Sequence, residues 1–261
     1  MEIKVGTYNV LSCGDYKYYL ETKTGRRDHM AFANAIRDLG LDICGLQEIN
    51  NQEMLGGIHD SKFIAEQLGF YHVFARTLTH SSGAEYGIAL VSRFPIVSTK
   101  FVPIHLPKEQ RIEGRRGYED RVILCAEILI NEQVITVMCS HFGIMEEEIA
   151  LAVDLLEECV KECKTPLLAL GDFNMCPTSP NYAKLCTYLE DTAPLVHADD
   201  NTFASINPAS RIDYIFKNDK IKLLSGKVPE LVLSDHRPYM ITIENVKAVM
   251  DAMEKYAYYF S

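Results

Sequence analysis

Apolar and polar residues alternate along much of the chain, and eleven stretches have either the two-residue period or the short apolar length of a β-strand. They fall at about 2–10, 41–47, 71–76, 86–91, 96–102, 121–130, 133–140, 167–171, 211–216, 221–228 and 239–245. Three other stretches repeat like helices. RRDHMAFANAIRDLG (26–40) runs into a C-capping glycine, and DSKFIAEQLG (60–69) offers Asp60 or Ser61 as N-cap and Gly69 as stop. MEEEIALAVDLLEECVKEC (145–163) puts acidic residues in its first turn, where the helix dipole favours them. The closing segment NVKAVMDAMEKYAYYF predicts a further helix over 246–260, with Val249, Met253, Tyr256 and Phe260 on one stripe that would pack on the domain surface. So many strands with so few helices predict two packed sheets with helices outside, since a doubly wound sheet would alternate strand and helix more regularly.

A chain of 261 residues can bury one large core, and no repeat, low-complexity tract or linker divides it, so a single domain over 1–261 is expected. Its 48% hydrophobic and 24% charged residues are those of an ordinary globular chain. No stretch approaches the roughly 20 apolar residues of a membrane helix. The opening MEIKVGTYNV alternates like a strand instead of showing a signal peptide's basic and then apolar layout, and cytoplasmic residence is the expectation. The eight cysteines form no CxxC and no zinc-type spacing, and several lie in apolar runs such as VILCAEI and VITVMCS. They read as reduced core thiols, with a disulfide framework as the alternative. The net charge of -10 opposes nonspecific attraction to nucleic acid or acidic membranes. Two polar loops depart from that balance: 14–28 holds four basic and three acidic residues, and 107–121 five and four. If both flank one site, an acidic protein presents its mildly positive surface to an anionic ligand; otherwise they are two solvated loops.

Several expected strands end on polar side chains. LALGDFNMCP (168–177) leads into Asp172 and Asn174, two apart, which on an extended backbone point the same way. They can converge on one water, the acid accepting its proton and the amide fixing its oxygen. Asp and Asn are also ordinary turn formers, and this string alone supports both readings equally. SDHRP (234–238) sets Asp235 and His236 in a loop; a protonated imidazole there can stabilise a phosphate's developing charge. RIDYIF (211–216) adds Asp213, a carboxylate able to orient that histidine, which alone would read as an ordinary loop residue. Glu48 closes LDICGLQEI and Asn9 closes IKVGTYNV, hard oxygen donors of the kind Mg²⁺ takes. His141, ending a strand in TVMCSHFG, can serve a phosphate oxygen or a sheet-edge hydrogen bond.

With TYNV, LQEI, GIALVSRFPI, SHFG, GDFN, RIDYIF and SDHRP in this order over about residues 2–245, the chain resembles the endonuclease/exonuclease/phosphatase superfamily of metal-dependent phosphoesterases. In compactness it is similar to the small bacterial members. The resemblance implies a four-layer α/β/β/α sandwich, the DNase I-like fold, with two mixed sheets flanked by helices and the site at one rim. It implies Glu48 as the main ligand of Mg²⁺ or Mn²⁺, with Asn9 and Asp235 close to the metal. Asp172 would be the base or water-orienting acid, helped by Asn174. His236, paired with Asp213, would stabilise the transition state or assist the leaving group, and His141 would contact the scissile phosphate. Arg121, in YEDRVIL, falls where related enzymes place a phosphate-contacting arginine. Some relatives carry an acidic residue two positions after the first asparagine, where this chain has Leu11.

The expected activity is metal-dependent hydrolysis of a small or soluble phosphoester, as a phosphodiesterase or phosphatase. A nuclease acting on DNA or RNA is the first alternative, opposed by the charge of -10, the absence of tryptophan and the lack of a long basic or aromatic segment. A sphingomyelinase-like lipid phosphodiesterase would want an exposed apolar anchor that the sequence does not show. A non-catalytic binding module would not need carboxylates that repel one another unless a cation sits among them. Oligomeric state is not encoded in any of these features.

Overall fold

The computed structural model describes residues 2–115 and 117–244; the helix expected over 246–260 lies outside them. Twelve strands are described: β1 (Glu2–Asn9), β2 (Ile43–Asn51), β3 (Tyr71–Thr79), β4 (Glu85–Ser92), β5 (Ile96–Ile104), β6 (Arg121–Ile130), β7 (Gln133–His141), β8 (Leu167–Asp172), β9 (Glu190–Asp191), β10 (Asp213–Lys217), β11 (Leu223–Lys227) and β12 (Tyr239–Glu244). They divide evenly into two six-stranded sheets, ordered β11-β12-β1-β2-β4-β3 and β5-β6-β7-β8-β10-β9. Near the middle of each sheet one parallel pair, β1 with β2 or β7 with β8, is flanked by antiparallel strands.

The layers follow from which face each side chain takes. In β8, Leu168 and Leu170 point into the core between the sheets with Ile3, Val5, Leu90 and Leu124, while Leu167 and Ala169 point outward. Both faces of β8 are therefore covered, which explains its nearly unbroken apolar sequence. On the first sheet's outer face, Phe32 and Ile36 of α2 (His29–Leu39) and Ile64 of α3 (Asp60–Leu68) close over Leu46 and Ile49. On the second, α4 (Glu146–Glu162) packs Val153 and Leu156 over Leu167 and Ala169. The result is the expected α/β/β/α sandwich. Gly45 of β2 lets the sheets approach closely, because a Cβ there would stand 2.1 Å from Leu170 Cδ1.

The differences from the sequence expectation lie in short elements. The polar loop 14–28 contains a helix, α1 (Tyr16–Thr22), started by Asp15 accepting from the Tyr18 N–H and stopped by Lys23 in the left-handed conformation. Two more short helices, α5 (Pro180–Leu185) and α6 (Thr192–Leu195), also fall below the length at which a period shows. The N-cap of α3 is His59, with Asp60 as the first helical residue. That frees the Asp60 carboxylate to accept from His29 Nε2 at 2.9 Å and from the Asn50 N–H at 2.8 Å. All eight cysteines are free, and Cys176 and Cys186 are exposed, so those two are surface thiols and not core residues. None of the described helices is long and apolar enough to cross a membrane.

Candidate active site

Strand direction brings the polar strand ends to one rim. β1, β7 and β8 finish there on Asn9, His141 and Asp172, and β2 presents Glu48 close to its own exit. Their antiparallel neighbours enter at the same rim, so β6 starts on Arg121, β10 starts on Asp213, and β12 follows the loop holding Asp235 and His236. The register sets Asp172 beside His141 on one side and Asp213 on the other.

Asp172 is the hub. Its Oδ1 accepts the backbone N–H of Asn174 at 3.1 Å, and its Oδ2 accepts Asn9 Nδ2 at 3.0 Å from the other sheet. His141 Nε2 and His236 Nε2 stand 3.5 and 3.6 Å from that same Oδ2. Burial, reinforced by the Asp213 charge, pushes the Asp172 carboxyl up to about 7. Gly171 allows this placement: its φ is 151°, and a Cβ would meet the Ser140 carbonyl oxygen at 1.8 Å.

The two histidines are prepared differently. Arg121 Nη1 can only donate, so at 3.2 Å it makes His141 Nδ1 an acceptor and leaves the ring proton on Nε2, facing Asp172. Burial, then the Arg121 and His236 charges, hold His141 well below its usual range, so it is a neutral N–H donor at physiological pH. His236 Nδ1 is 2.9 Å from Asp213 Oδ2. Burial works against the imidazolium there, but the charges of Asp213, Asp172 and Asp235 and the Asp213 hydrogen bond raise it to about 10. One ring is neutral and the other cationic, both beside a carboxyl poised near neutrality.

Glu48 sits at a bulge where the β2–β4 register shifts between Gln47 and Ile49, and its φ is 59°. The extra residue turns Glu48 toward the rim, where it accepts Asn9 Nδ2 at 3.0 Å. Its carboxyl is raised by burial and further by the Asp235 charge. The Asn9 amide thus clamps Glu48 to Asp172 through its nitrogen, while its oxygen accepts the Leu11 N–H at 3.2 Å. Asn174 meets Asp172 through its backbone N–H, while its side chain donates to the Phe142 carbonyl at 3.0 Å and lies 3.3 Å from His141 Nε2. Arg121 is only 8% exposed. Its Nη2 pairs with Glu119 at 2.9 Å, and its Nε has no partner among the described residues. A guanidinium at this rim is chemically suited to donate to an anion.

The family comparison decides what kind of molecule carries this rim: the model of the endonuclease/exonuclease/phosphatase family matches residues 6–236. The chain belongs to that family. It is therefore a hydrolase acting on phosphoester bonds. Among curated proteins, Cwh43 of Schizosaccharomyces pombe is 27% identical over 141 residues, 53% of this chain but only 13% of that much longer protein. Among solved family folds, a mannosyl-6-phosphatase from Bacteroides thetaiotaomicron superposes with a TM-score of 0.73 at 19% identity, covering 93% of this chain and 100% of that one. The catalytic domain of human Nocturnin superposes with a TM-score of 0.66 at 18% identity, covering 93% of each chain.

Family members generally depend on a divalent metal, and the donor set fits one. The rim offers hard oxygens from Glu48 and Asp235, with the Glu48 carboxyl destabilised by burial and by its neighbour in the absence of a cation. Asp172, Asp213 and His236 also lie within 4.8 Å of one another, but His236 as an imidazolium has no lone pair for a metal, which leaves Glu48 and Asp235 as the fitting donors; Asp213 Oδ1 has no partner among the described residues. Sequence reasoning missed three supporting side chains. Thr202 donates to Asp213 Oδ2 at 2.5 Å, Glu119 pairs with Arg121, and the hydroxyl of half-buried Tyr86 accepts from Arg121. Only Glu119 stood in a quoted motif; Thr202 and Tyr86 lie in strings with no recognisable chemistry.

Proposed function

We propose that this family member is a Mg²⁺-dependent hydrolase of a small or soluble phosphoester, as a phosphodiesterase or phosphatase. The observation that carries the reading is Asp172: a fully buried carboxyl near pKa 7, oriented by Asn9 and the Asn174 N–H, with two histidine N–H groups converging on it. A base is most effective when its pKa lies near the working pH.

Glu48 and Asp235 would hold Mg²⁺ or Mn²⁺, with Asn9 fixing Glu48 in place. When bound, the metal supplies charge neutralisation at the phosphate oxygens. Asp172 takes the proton of the attacking water as its oxygen bonds to phosphorus, and Asn174 keeps that carboxylate aimed. His141 and Arg121 donate to the non-leaving phosphate oxygens. His236, held as imidazolium by Asp213, stabilises the leaving oxygen as its bond to phosphorus breaks and can give it a proton. The overall charge of -10 disfavours polyanionic nucleic acid as the substrate. Residues 1–261 would act as one catalytic domain.

A hydrolysis panel in Mg²⁺ tests the reading: abasic-site duplex DNA, single-stranded RNA, sphingomyelin, inositol phosphates and p-nitrophenyl phosphoesters. Turnover confined to small soluble esters is expected. Selective cleavage of either nucleic acid overturns the small-ester reading and makes the protein a nuclease.

A further inference from the structure

We propose that Cys125 and Cys159 form a redox site, at which hydrogen peroxide oxidises Cys159 and Cys125 converts the product into a disulfide linking β6 to α4. The site lies on the outer face of the second sheet and takes no part in the phosphoester chemistry. Two strings of the sequence prepare it. In LLEECVKEC, Cys159 and Cys163 are four apart, which on a helix places them on one face. In VILCAEI, Cys125 takes the same face of β6 as Ile123, the face that α4 covers. Lys100 of β5 stands opposite Cys125 in the β5–β6 register, and its ammonium reaches Glu162, the last residue of α4, at 2.9 Å. The end of α4 is thereby brought over the Lys100–Cys125 pair. Cys125, Cys159 and Cys163 line one cavity of ≈ 380 Å³ together with Lys100, Glu127 and Glu162. That is ample for hydrogen peroxide, which needs little more room than a water molecule's share of the liquid, about 30 Å³.

The three thiols of this cavity are not equivalent. Cys163 is engaged elsewhere, with its Sγ 3.3 Å from Thr165 Oγ1. Cys125 and Cys159 instead hydrogen-bond to each other, and that bond raises Cys125 and lowers Cys159. Burial opposes a thiolate at Cys159, while the Lys100 ammonium favours one there more than either Glu162 or Glu158 opposes it. Cys125 is thus the proton donor of the pair, and Cys159 is the thiolate, the nucleophilic form. Its sulfur attacks one peroxide oxygen and the O–O bond breaks. The sulfur is oxidised to a sulfenic acid, and the departing hydroxide takes up a proton and leaves as water. The Cys125 sulfur then bonds to the Cys159 sulfur as the S–O bond breaks, and the Cys125 proton leaves with that hydroxyl as a second water. Two thiols and one peroxide give one disulfide and two waters. Exposure alone would select other targets, since Cys176 and Cys186 are exposed whereas Cys159 is buried.

The test treats the reduced full chain with an equimolar amount of hydrogen peroxide, blocks the remaining thiols and maps the peptides by mass spectrometry without reduction. The expected main product is a peptide pair joined through Cys125 and Cys159, separated again by dithiothreitol. In Cys125→Ser the cross-link should be lost and a dimedone adduct, the mark of a sulfenic acid, should appear on Cys159. Cys159→Ser should lose both, and Cys163→Ser should keep the cross-link. A main cross-link between Cys159 and Cys163 overturns the inference, as does oxidation confined to Cys176 and Cys186 or a parent in which no cross-link forms. The parent map decides the matter by itself where a variant fails to fold.

Discussion

At the scale of single residues, the site is a set of unlike environments imposed on like side chains. His141 and His236 stand at nearly the same distance from Asp172 Oδ2, yet one is neutral and the other cationic because their second nitrogens face Arg121 and Asp213 respectively. In EDTA, NMR titration of His236 is expected to find its imidazolium intact through pH 8, with the raised value of about 10 brought down by at least two units in Asp213→Asn. A parent His236 titrating near its ordinary value of about 6.5 contradicts that arrangement. Because the folded value lies above the unfolded one, the stabilisation is complete below about 6.5 and is lost as pH rises through about 10. Glu48→Gln keeps the shape but removes a charge from the metal position, so half-saturation should require at least tenfold more Mg²⁺; an unchanged titration would remove Glu48 from the metal. These residues were legible in the sequence because each lies at or just beyond an end of a strand in a short, ordered motif. Thr202 was not: its hydrogen bond to Asp213 depends on a loop path that no local pattern records.

At the scale of elements, hydrophobic periodicity located every strand except the two-residue β9, since a buried strand must be apolar on at least one face over several residues. The helix α1 was hidden because its residues are mostly half-buried or exposed and it carries no buried stripe. The β2 bulge at Glu48 was hidden as well, although it decides where the carboxylate points. Gly171 shows how tightly a strand can constrain the site. Gly171→Ala must move β8 from Ser140, so its Tm is expected to fall by roughly 5–10 °C, on a scale of about 2–4 °C per kcal/mol for a chain of this class. An unchanged Tm would mean that β7 and β8 can separate freely.

At the scale of the whole molecule, the two sheets matter because neither holds a complete site. Asn9 and Glu48 come from the first sheet, Asp172, Asp213, His141 and Arg121 from the second, and the Asn9–Asp172 hydrogen bond joins residues 163 positions apart. The sandwich was legible as strand count and order, and its site as a series of strand ends. Family resemblance supplied the four layers, but which sheet each strand joins was not legible, because register and long-range pairing leave little trace in local sequence. The two polar loops reach this rim too, one through a cavity beside Asp235 and the other through Arg121. The central claim is that Asp172 removes the proton from water in a metal-dependent hydrolysis. It is tested most directly by the Mg²⁺-dependent turnover of a soluble p-nitrophenyl phosphoester by the parent and by Asp172→Ala. Turnover in the parent that falls by two or more orders of magnitude in a variant of unchanged fold is the predicted result; near-normal turnover in the variant would contradict it.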